Sequence, residues 1–415
     1  MAQFDLIIVG AGMVGATLAR AVADTELKVA LVDAMLLDAP VPFQLTASGY
    51  DPRVSALSAA SEHILTNLGV WQRIPASARC AYQHMHVWDA EGTGEVGFDA
   101  ASLSEVRLGH IVENYRIQQA LLDSLAETEV ALYGGQRVDG LVQEDDGWRL
   151  MLASGERLSA SLVVAADGAR SQVRELYGFD MREWDYLHDA IVTTVCTEKP
   201  HDDTAWQRFL PSGPLALLPL PDRDGEHYCS IVWSLKPALA ADMMGLDDEA
   251  FRRELGDAFE GRLGEILAVD PRRRIPLRQR HAKRYAVTGL VLIGDAAHSI
   301  HPLAGQGVNL GLLDAAELFD VLVAALERGE DIASLQVLQR YERRRMGANL
   351  AMMAAMEGFE RLFDADALPL RWIRNTGMRL LDGQELIKGG IIRRAMGLSG
   401  ELPALAQDPQ LREQR

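Results

Sequence analysis

The feature that most constrains this chain lies at its start. A short β-rich run, Asp5 to Val9, leads into Gly10-Ala11-Gly12-Met13-Val14-Gly15, then a helical stretch from Val14 to Ala23 and a second β-rich run from Val29 to Val32 ending at Asp33. This is one βαβ unit, and its spacing assigns each glycine a task. Gly10 permits the tight turn, Gly12 lets the backbone approach a pyrophosphate, and Gly15 lets helix and strand pack closely. The amides and dipole at the helix N-terminus stabilise the anion, and Asp33 is placed to accept hydrogen bonds from an adenosine ribose. A carboxylate there disfavours the extra phosphate of NADP at this particular site. The fingerprint alone does not separate FAD from NAD.

Two later segments repeat the pattern of an aspartate at a strand end. Val163-Val164-Ala165-Ala166-Asp167-Gly168 follows one buried run and Leu292-Ile293-Gly294-Asp295-Ala296-Ala297-His298 another. In a doubly wound sheet the carboxyl ends of the strands face the ligand crevice, so Asp167 and Asp295 can reach sugar hydroxyls; each can equally cap a helix or turn.

The chain has 415 residues, enough for two or three domains. Strands are expected at 84–88, 148–152, 161–165, 191–197, 215–219, 228–233 and 290–293, with helices at 59–68, 115–126, 248–259 and 308–328. Residues 43–58, with Gly49 and Pro52, read as a surface loop. Because βα alternation surrounds a strand-rich middle, the second domain is expected as an insertion. The division expected is a nucleotide domain of 1–70, 106–180 and 284–345, a substrate domain of 71–105 and 181–283, and a helical region over 346–415. Within that last region 371–394 carries six basic and two acidic side chains. It reads as a helical cap with a solvated basic face, or as a contact for lipid headgroups or an acidic partner.

A formal charge of -18 opposes attraction to nucleic-acid phosphates and argues against such a partner. Cys80, Cys196 and Cys229 are far apart, and neither a disulfide framework nor a zinc site is supported. A cytoplasmic location is expected, since the opening apolar run reads as a strand and not a signal peptide. No run approaches the ~18 apolar residues of a spanning helix. Metal-cluster, serine-triad and Walker patterns are not found; Gly305 to Gly311 lacks the Lys-Ser/Thr ending of a phosphate loop.

Together these segments resemble the single-component FAD-dependent aromatic hydroxylases. The run from Gly294 to Gly311, Asp51-Pro52-Arg53-Val54-Ser55-Ala56 and Gly109-His110-Ile111-Val112-Glu113-Asn114 are similar to the ubiquinone-biosynthesis branch. Trp184-Asp185-Tyr186, Glu198-Lys199-Pro200-His201-Asp202, Ser230 to Leu235 and Ala395-Met396-Gly397-Leu398 look most like the 2-polyprenylphenol 6-hydroxylases within it. The fold implied is α/β: a Rossmann-like FAD-binding domain, an inserted α+β substrate domain on a mostly antiparallel sheet, and a helical C-terminal region. The activity implied is hydroxylation of a polyprenylated phenol, with NAD(P)H and O2 as cosubstrates, through a flavin C4a-hydroperoxide. Paralogues act at other ring carbons, and a flavin reductase or a flavin-bearing assembly component are competing readings.

By the same resemblance, the turn Gly10, Ala11, Gly12, Met13, Val14, Gly15 and Asp33 hold the ADP half of FAD. Gly294 and Asp295 meet the ribityl chain, Asp167 and Gly168 lie near the pyrophosphate and the nicotinamide path, and Arg53 and Gln118 touch the flavin. Gly305, Gln306, Gly307, Val308 and Asn309 sit beside the isoalloxazine, with Pro302 shaping the loop and His301 next to it. The branch carries Asn114 where many relatives have an arginine, and Arg116 is an alternative ligand. Asp33 stands where a longer glutamate is common, so its ribose contact can run through water. His298 and His301 are candidates for proton transfer or for ordering the loop. Trp206, Phe209, Leu215, Leu217, Leu218 and Trp233 either line a tail channel or form core, and Met352, Met353, Met356 and Phe359, at helical spacing, suit a core stripe better than a lipid gate. A homo-oligomer is expected, with peripheral contact to the inner membrane or to other ubiquinone-biosynthesis proteins.

Overall fold

The computed structural model describes residues 2–103, 105–299, 306–364 and 384–412. Strand Ala2–Val9 is the axis of the first sheet: Leu6, Ile7, Ile8 and Val9 are all buried, as expected for a parallel strand covered on both faces. It pairs in parallel with Val29–Val32 on one side and with Arg157–Ala165 on the other. Strand Leu290–Leu292 adds in parallel beyond Arg157–Ala165, and Ala131–Tyr133 beyond Val29–Val32. The antiparallel hairpin Val138–Glu144 and Gly147–Leu152 is joined to the same sheet through Arg157–Ala165. Helix Met13–Val22 packs on one face, against helix Gln306–Glu327.

A nine-stranded sheet makes the second body. Its strands run in the order His298–Ser299, Arg273–Ala282, Met181–Thr197, His227–Leu235, Gly213–Pro219, Thr204–Leu210, His84–Asp89 and Glu95–Asp99, with Ile266–Val269 paired to Met181–Thr197. Every pairing is antiparallel except that between Thr204–Leu210 and His84–Asp89. Helices Pro237–Gly245 and Asp248–Ala258 cover one face, where Leu215, Leu217, Ile231 and Trp233 pack against Phe251 and Leu255. Trp206, Leu215, Leu217 and Trp233 are therefore core beneath these helices and line no channel. Leu218 and Phe209 belong to two separate clusters: Leu218 packs with Tyr50 and Tyr228, and Phe209 with Val87, Val96 and Met356.

The structure departs from expectation in the supposed loop. Val54–Ser58 is a strand pairing with Gly109–Glu113, which also pairs with Arg79–Tyr82 in a small third sheet. Gly49 and Pro52 mark only the approach; pairing with a distant partner makes the strand, which no local pattern announces.

Helix Leu335–Asp364 follows, with Met353 buried and Met356 against Phe209; the side chain of Phe359 lies outside the described residues. Much of the basic stretch 371–394 lies outside them too. Beyond it the chain returns to the first body. Asn67 Nδ2 donates to the carbonyls of Leu405 (2.8 Å) and Gln407 (3.0 Å), Asp320 accepts from Ala404 N, and Leu405 and Ala406 join the main core. Among the described residues no helix is long and apolar enough to cross a membrane.

Candidate flavin site

The three strand-end segments converge. Ala166 N donates to Val9 O (2.7 Å) and Ile293 N to Ala165 O (3.0 Å), so the first turn, the Asp167 turn and the Asp295 turn sit side by side at the carboxyl ends of neighbouring strands. Gly10 has φ +105°, and a Cβ there would stand 2.4 Å from Ala166 O; one on Gly15 would stand 1.9 Å from Gly10 O. Only glycine fits either position. Val14 is a packing wedge, since a Cβ on Gly294 or Gly311 would meet its methyl groups at 3.1 and 2.5 Å. The early and late motifs are thus fitted to one another.

Asp33 accepts from Ala11 N (2.6 Å) with one oxygen and from Met35 N (2.7 Å) with the other. It orders the turn first, and each oxygen keeps capacity to accept a further bond from a hydroxyl. Gln118 Nε2 donates to Ala11 O (2.8 Å), positioning the turn from helix Asn114–Leu125. Gly12 is the N-cap of helix Met13–Val22 and brings no side-chain cap, so the first helical amides stay open to an anion.

Asp167 Oδ2 accepts from Gln172 N (2.7 Å) and Val173 N (3.1 Å), capping helix Gln172–Tyr177; its Oδ1 is buried with no partner, and burial pushes its carboxyl up. Gly168 completes that turn at φ +80°. Asp295 is exposed by surface area, yet it lies deep enough for desolvation to push its carboxyl up, opposed by His298. An exposed carboxyl that is nonetheless desolvated stands at the strand-end crevice, beside the other two turns.

His298 is turned away from that cleft. It is 1% exposed in its side chain, and its Nε2 lies 2.5 Å from Asp314 Oδ2, which also accepts from Gly294 N (3.0 Å). Arg345 Nε donates to Asp314 Oδ1 (2.7 Å), joined by Asn349 Nδ2 (3.2 Å). Burial alone would raise the Asp314 carboxyl, but His298 and Arg345 hold it far below the usual carboxylate range. His298 therefore orders the loop. Asp314 and Arg345 escaped the sequence reading; the only signal was a carboxylate set in the apolar stretch Leu312 to Ala316.

Two expected ligands have other work. Asn309 Nδ2 donates to Ala56 O (2.8 Å), and its Oδ1 accepts from Ser58 N (3.0 Å) and Ser61 Oγ (2.7 Å), so its amide ties helix Gln306–Glu327 to strand Val54–Ser58 and leaves only backbone for a ligand. Arg116 is held by a hydrogen bond to the buried Glu113, which disfavours it as a substitute ligand, while Asn114 Oδ1 accepts from Ser55 Oγ (2.7 Å). Arg53 is 57% exposed, 3.9 Å from Asp51, with its guanidinium turned outward. Gly307 and Val308 lie at the start of helix Gln306–Glu327. His301, Pro302, Gly305 and the side chain of Gln306 lie outside the described residues.

The fold and these converging turns define an FAD-dependent aromatic-ring hydroxylase. Solved structures share the architecture: p-nitrophenol 4-monooxygenase PnpA of Pseudomonas putida DLL-E4 superposes with a TM-score of 0.77 at 20% identity, over 97% of this chain and 100% of that one. A Klebsiella pneumoniae HpxO variant complexed with FAD gives 0.72 at 20%, over 95% and 99%. Residues 3–355 match the FAD binding domain family, and the chain belongs to it, within the ubiquinone-biosynthesis hydroxylases. The 3-demethoxyubiquinol 3-hydroxylase of Escherichia coli K12 is 40% identical over 95% of this chain and 98% of its own length. The ubiquinone hydroxylase UbiL of Rhodospirillum rubrum is 36% identical, over 95% and 89%. The human mitochondrial ubiquinone biosynthesis monooxygenase COQ6 is 31% identical, over 94% and 92%.

Proposed function

We propose that the chain hydroxylates the ring of a polyprenylated phenol or quinol, consuming NAD(P)H and O2. The observation that carries this reading is the convergence of the three turns on one cleft, in a chain whose relatives are named for ubiquinone-ring hydroxylation. The residues fit FAD: glycines where a Cβ would collide, uncapped helical amides for the pyrophosphate, Asp33 for the ribose, and the exposed Asp295 for the ribityl hydroxyls. In this reading Arg53, Gly307, Val308 and Asn309 contact the flavin; by the resemblance Pro302, Gly305, Gln306 and His301 are assigned to the same environment. Asp167 holds its turn beside the pyrophosphate through its bonds to Gln172 N and Val173 N.

Bound FAD supplies the redox chemistry, taking reducing equivalents from NAD(P)H and delivering one oxygen atom of O2 to the ring. The protein must place one ring carbon and exclude water. His298, locked to Asp314, moves no proton to substrate. Residues 1–70, 106–180 and 284–345 form the nucleotide-binding unit in this reading, 71–105 and 181–283 the ring-binding unit, and 346–415 the helical region. The basic helix Glu385–Ala395 gives peripheral contact with anionic lipid, so removal of 371–415 should lower binding to anionic vesicles, and unchanged binding would reject the contact. Self-association as a homo-oligomer is checked by light scattering.

Incubation with labelled dioxygen tests the activity: label must enter the phenolic product. NAD(P)H consumption without label would reject hydroxylation in favour of a reductase. In a strain lacking the gene, the accumulating intermediate names the ring carbon, separating the 2-polyprenylphenol step from the 3-demethoxyubiquinol step named for the Escherichia coli relative.

A further inference from the structure

The two faces of the nine-stranded sheet are unequally covered. On the face under the two helices, Leu215, Leu217, Ile231 and Trp233 are each at most 5% exposed. On the opposite face, Ala216, Val232 and Val192 lie in one cross-strand row at the centre of the sheet, yet all three are only partly buried. Apolar side chains in central strands are normally closed off, so an open row of them marks a surface that a ligand can cover.

The row continues toward the sheet edge. Ile275 pairs with Ala190, two residues along from Val192, and is 43% exposed. Strand Arg273–Ala282 carries the same face on through Leu277 and Gln279, both buried, and Trp184, the partner of Gln279, is 46% exposed. The ladder is broken between Asp185 and His188, and the bulge displays Leu187 at φ +53° and 68% exposure. A non-glycine residue held in the left-handed region on an open bulge is a sign of a functional constraint. From the row of Val192 to that of Trp184 is six residues of strand, roughly 20 Å.

The inner end is polar. Thr194 and Ser230 are direct cross-strand partners on the same face, one row beyond Val192 and Val232, and both hydroxyls are buried without a hydrogen-bond partner. An unmade hydrogen bond on a buried hydroxyl is destabilising, and a ring oxygen would relieve it. The face therefore runs from two unpaired hydroxyls, across the partly buried Val232 and Val192 with Arg273 beside them and the exposed Ile275, past the buried Leu277 and Gln279, to an exposed tryptophan and leucine. A molecule with a hydroxylated ring at one end and a long hydrocarbon at the other has the same polarity along its length.

We infer that the strip Val232–Val192–Ile275–Trp184 is the track of the substrate's polyprenyl tail, with the ring at the Thr194–Ser230 end and the tail leaving over Leu187. The inference rests on the hydroxylase reading and adds the path of the tail. Its test is equilibrium binding to the FAD-loaded enzyme without NAD(P)H, using two phenols of one ring pattern, one carrying a farnesyl chain and one a methyl group. Wild type should bind the farnesyl compound at least about tenfold more tightly, one decade being about 1.4 kcal/mol. Trp184→Ser with Ile275→Ser should bring the ratio of the two dissociation constants toward unity, and Trp184→Phe with Ile275→Leu should restore it. Both side chains are over two-fifths exposed, and Ile275→Ser alone, expected to give an intermediate ratio, serves as the second variant should the pair fold poorly. A wild type that ignores the tail, or serine variants that keep the wild-type ratio, would overturn the track. Tail-dependent binding with no labelled product would uphold the track and reject hydroxylation.

Discussion

Asp314 offers the sharpest test of how the late motif is held. Replacing it by asparagine keeps the shape and removes the charge, leaving the guanidinium of Arg345, 9% exposed, without its counter-ion, and His298 without its acceptor. Removing one partner of a buried pair costs about 3–5 kcal/mol, chiefly because the other charge stays buried. With an unfolding entropy of about 2.1 cal/mol/K per residue, each kcal/mol moves the thermal midpoint of a 415-residue chain by a little over ~1 °C, so Asp314→Asn should lower it by on the order of 3–6 °C by circular dichroism. Flavin fluorescence should report release at the same temperature, because Asp314 also holds the amide of Gly294, next to Asp295. The folded carboxyl lies below its unfolded value, so its contribution is full above the unfolded range near ~4 and fades as pH falls through the folded pKa. The gap between variant and wild type should therefore shrink on acidification. Asp314→Leu combined with Arg345→Met removes both charges and should be less destabilised than Asp314→Asn. A shift under ~2 °C for Asp314→Asn, or a double variant as unstable as the single, would refute the reasoning.

Gly15→Ala places a methyl group against the Gly10 carbonyl, and the protein should purify without flavin absorbance; a fully yellow variant would show that the turn does not hold FAD. Arg53→Met should weaken FAD binding more than Arg116→Met, because Arg116 is hydrogen-bonded to the buried Glu113 while the exposed Arg53 has a longer, 3.9 Å contact with Asp51; fluorescence titration of the apoprotein measures both. Glu62, which burial alone would raise, is lowered to about 2 by His110 and Arg107. Its stabilisation is complete above the unfolded carboxylate pKa and is lost as pH falls from about 4.5 to about 2, each unit of displacement being worth about 1.4 kcal/mol. Glu62→Gln should flatten acid denaturation over that window, and an unchanged profile would remove Glu62 from the account.

The first βαβ unit was legible because its signals are local: buried strand, glycine spacing and terminal aspartate fall within Asp5 to Asp33. Asp167 and Asp295 could be placed at strand ends for the same reason, but whether each caps or binds depends on amides such as Gln172 N, which only folding brings near. Asn309 shows the limit. Its position in a glycine-rich run suggested a ligand, while its bonds go to Ala56, Ser58 and Ser61, more than 240 residues earlier in the chain. The same holds for Trp206, Leu215, Leu217 and Trp233, whose aromatic and aliphatic character is equal for a channel and a core until two helices settle on one face. Strand alternation told that two faces exist, not which one is covered.

The central sheet also dictates when the protein can assemble. Its neighbouring strands Ala2–Val9, Arg157–Ala165 and Leu290–Leu292 come from three widely separated stretches. During synthesis the opening strand has one edge satisfied early by Val29–Val32, while Arg157–Ala165 must wait, half exposed, until Leu290–Leu292 emerges. Such long-range parallel pairing is slow and leaves apolar edges open meanwhile. The nascent chain should thus depend on chaperones until more than two-thirds of it has left the ribosome, and fragments ending before Leu290 should aggregate rather than fold.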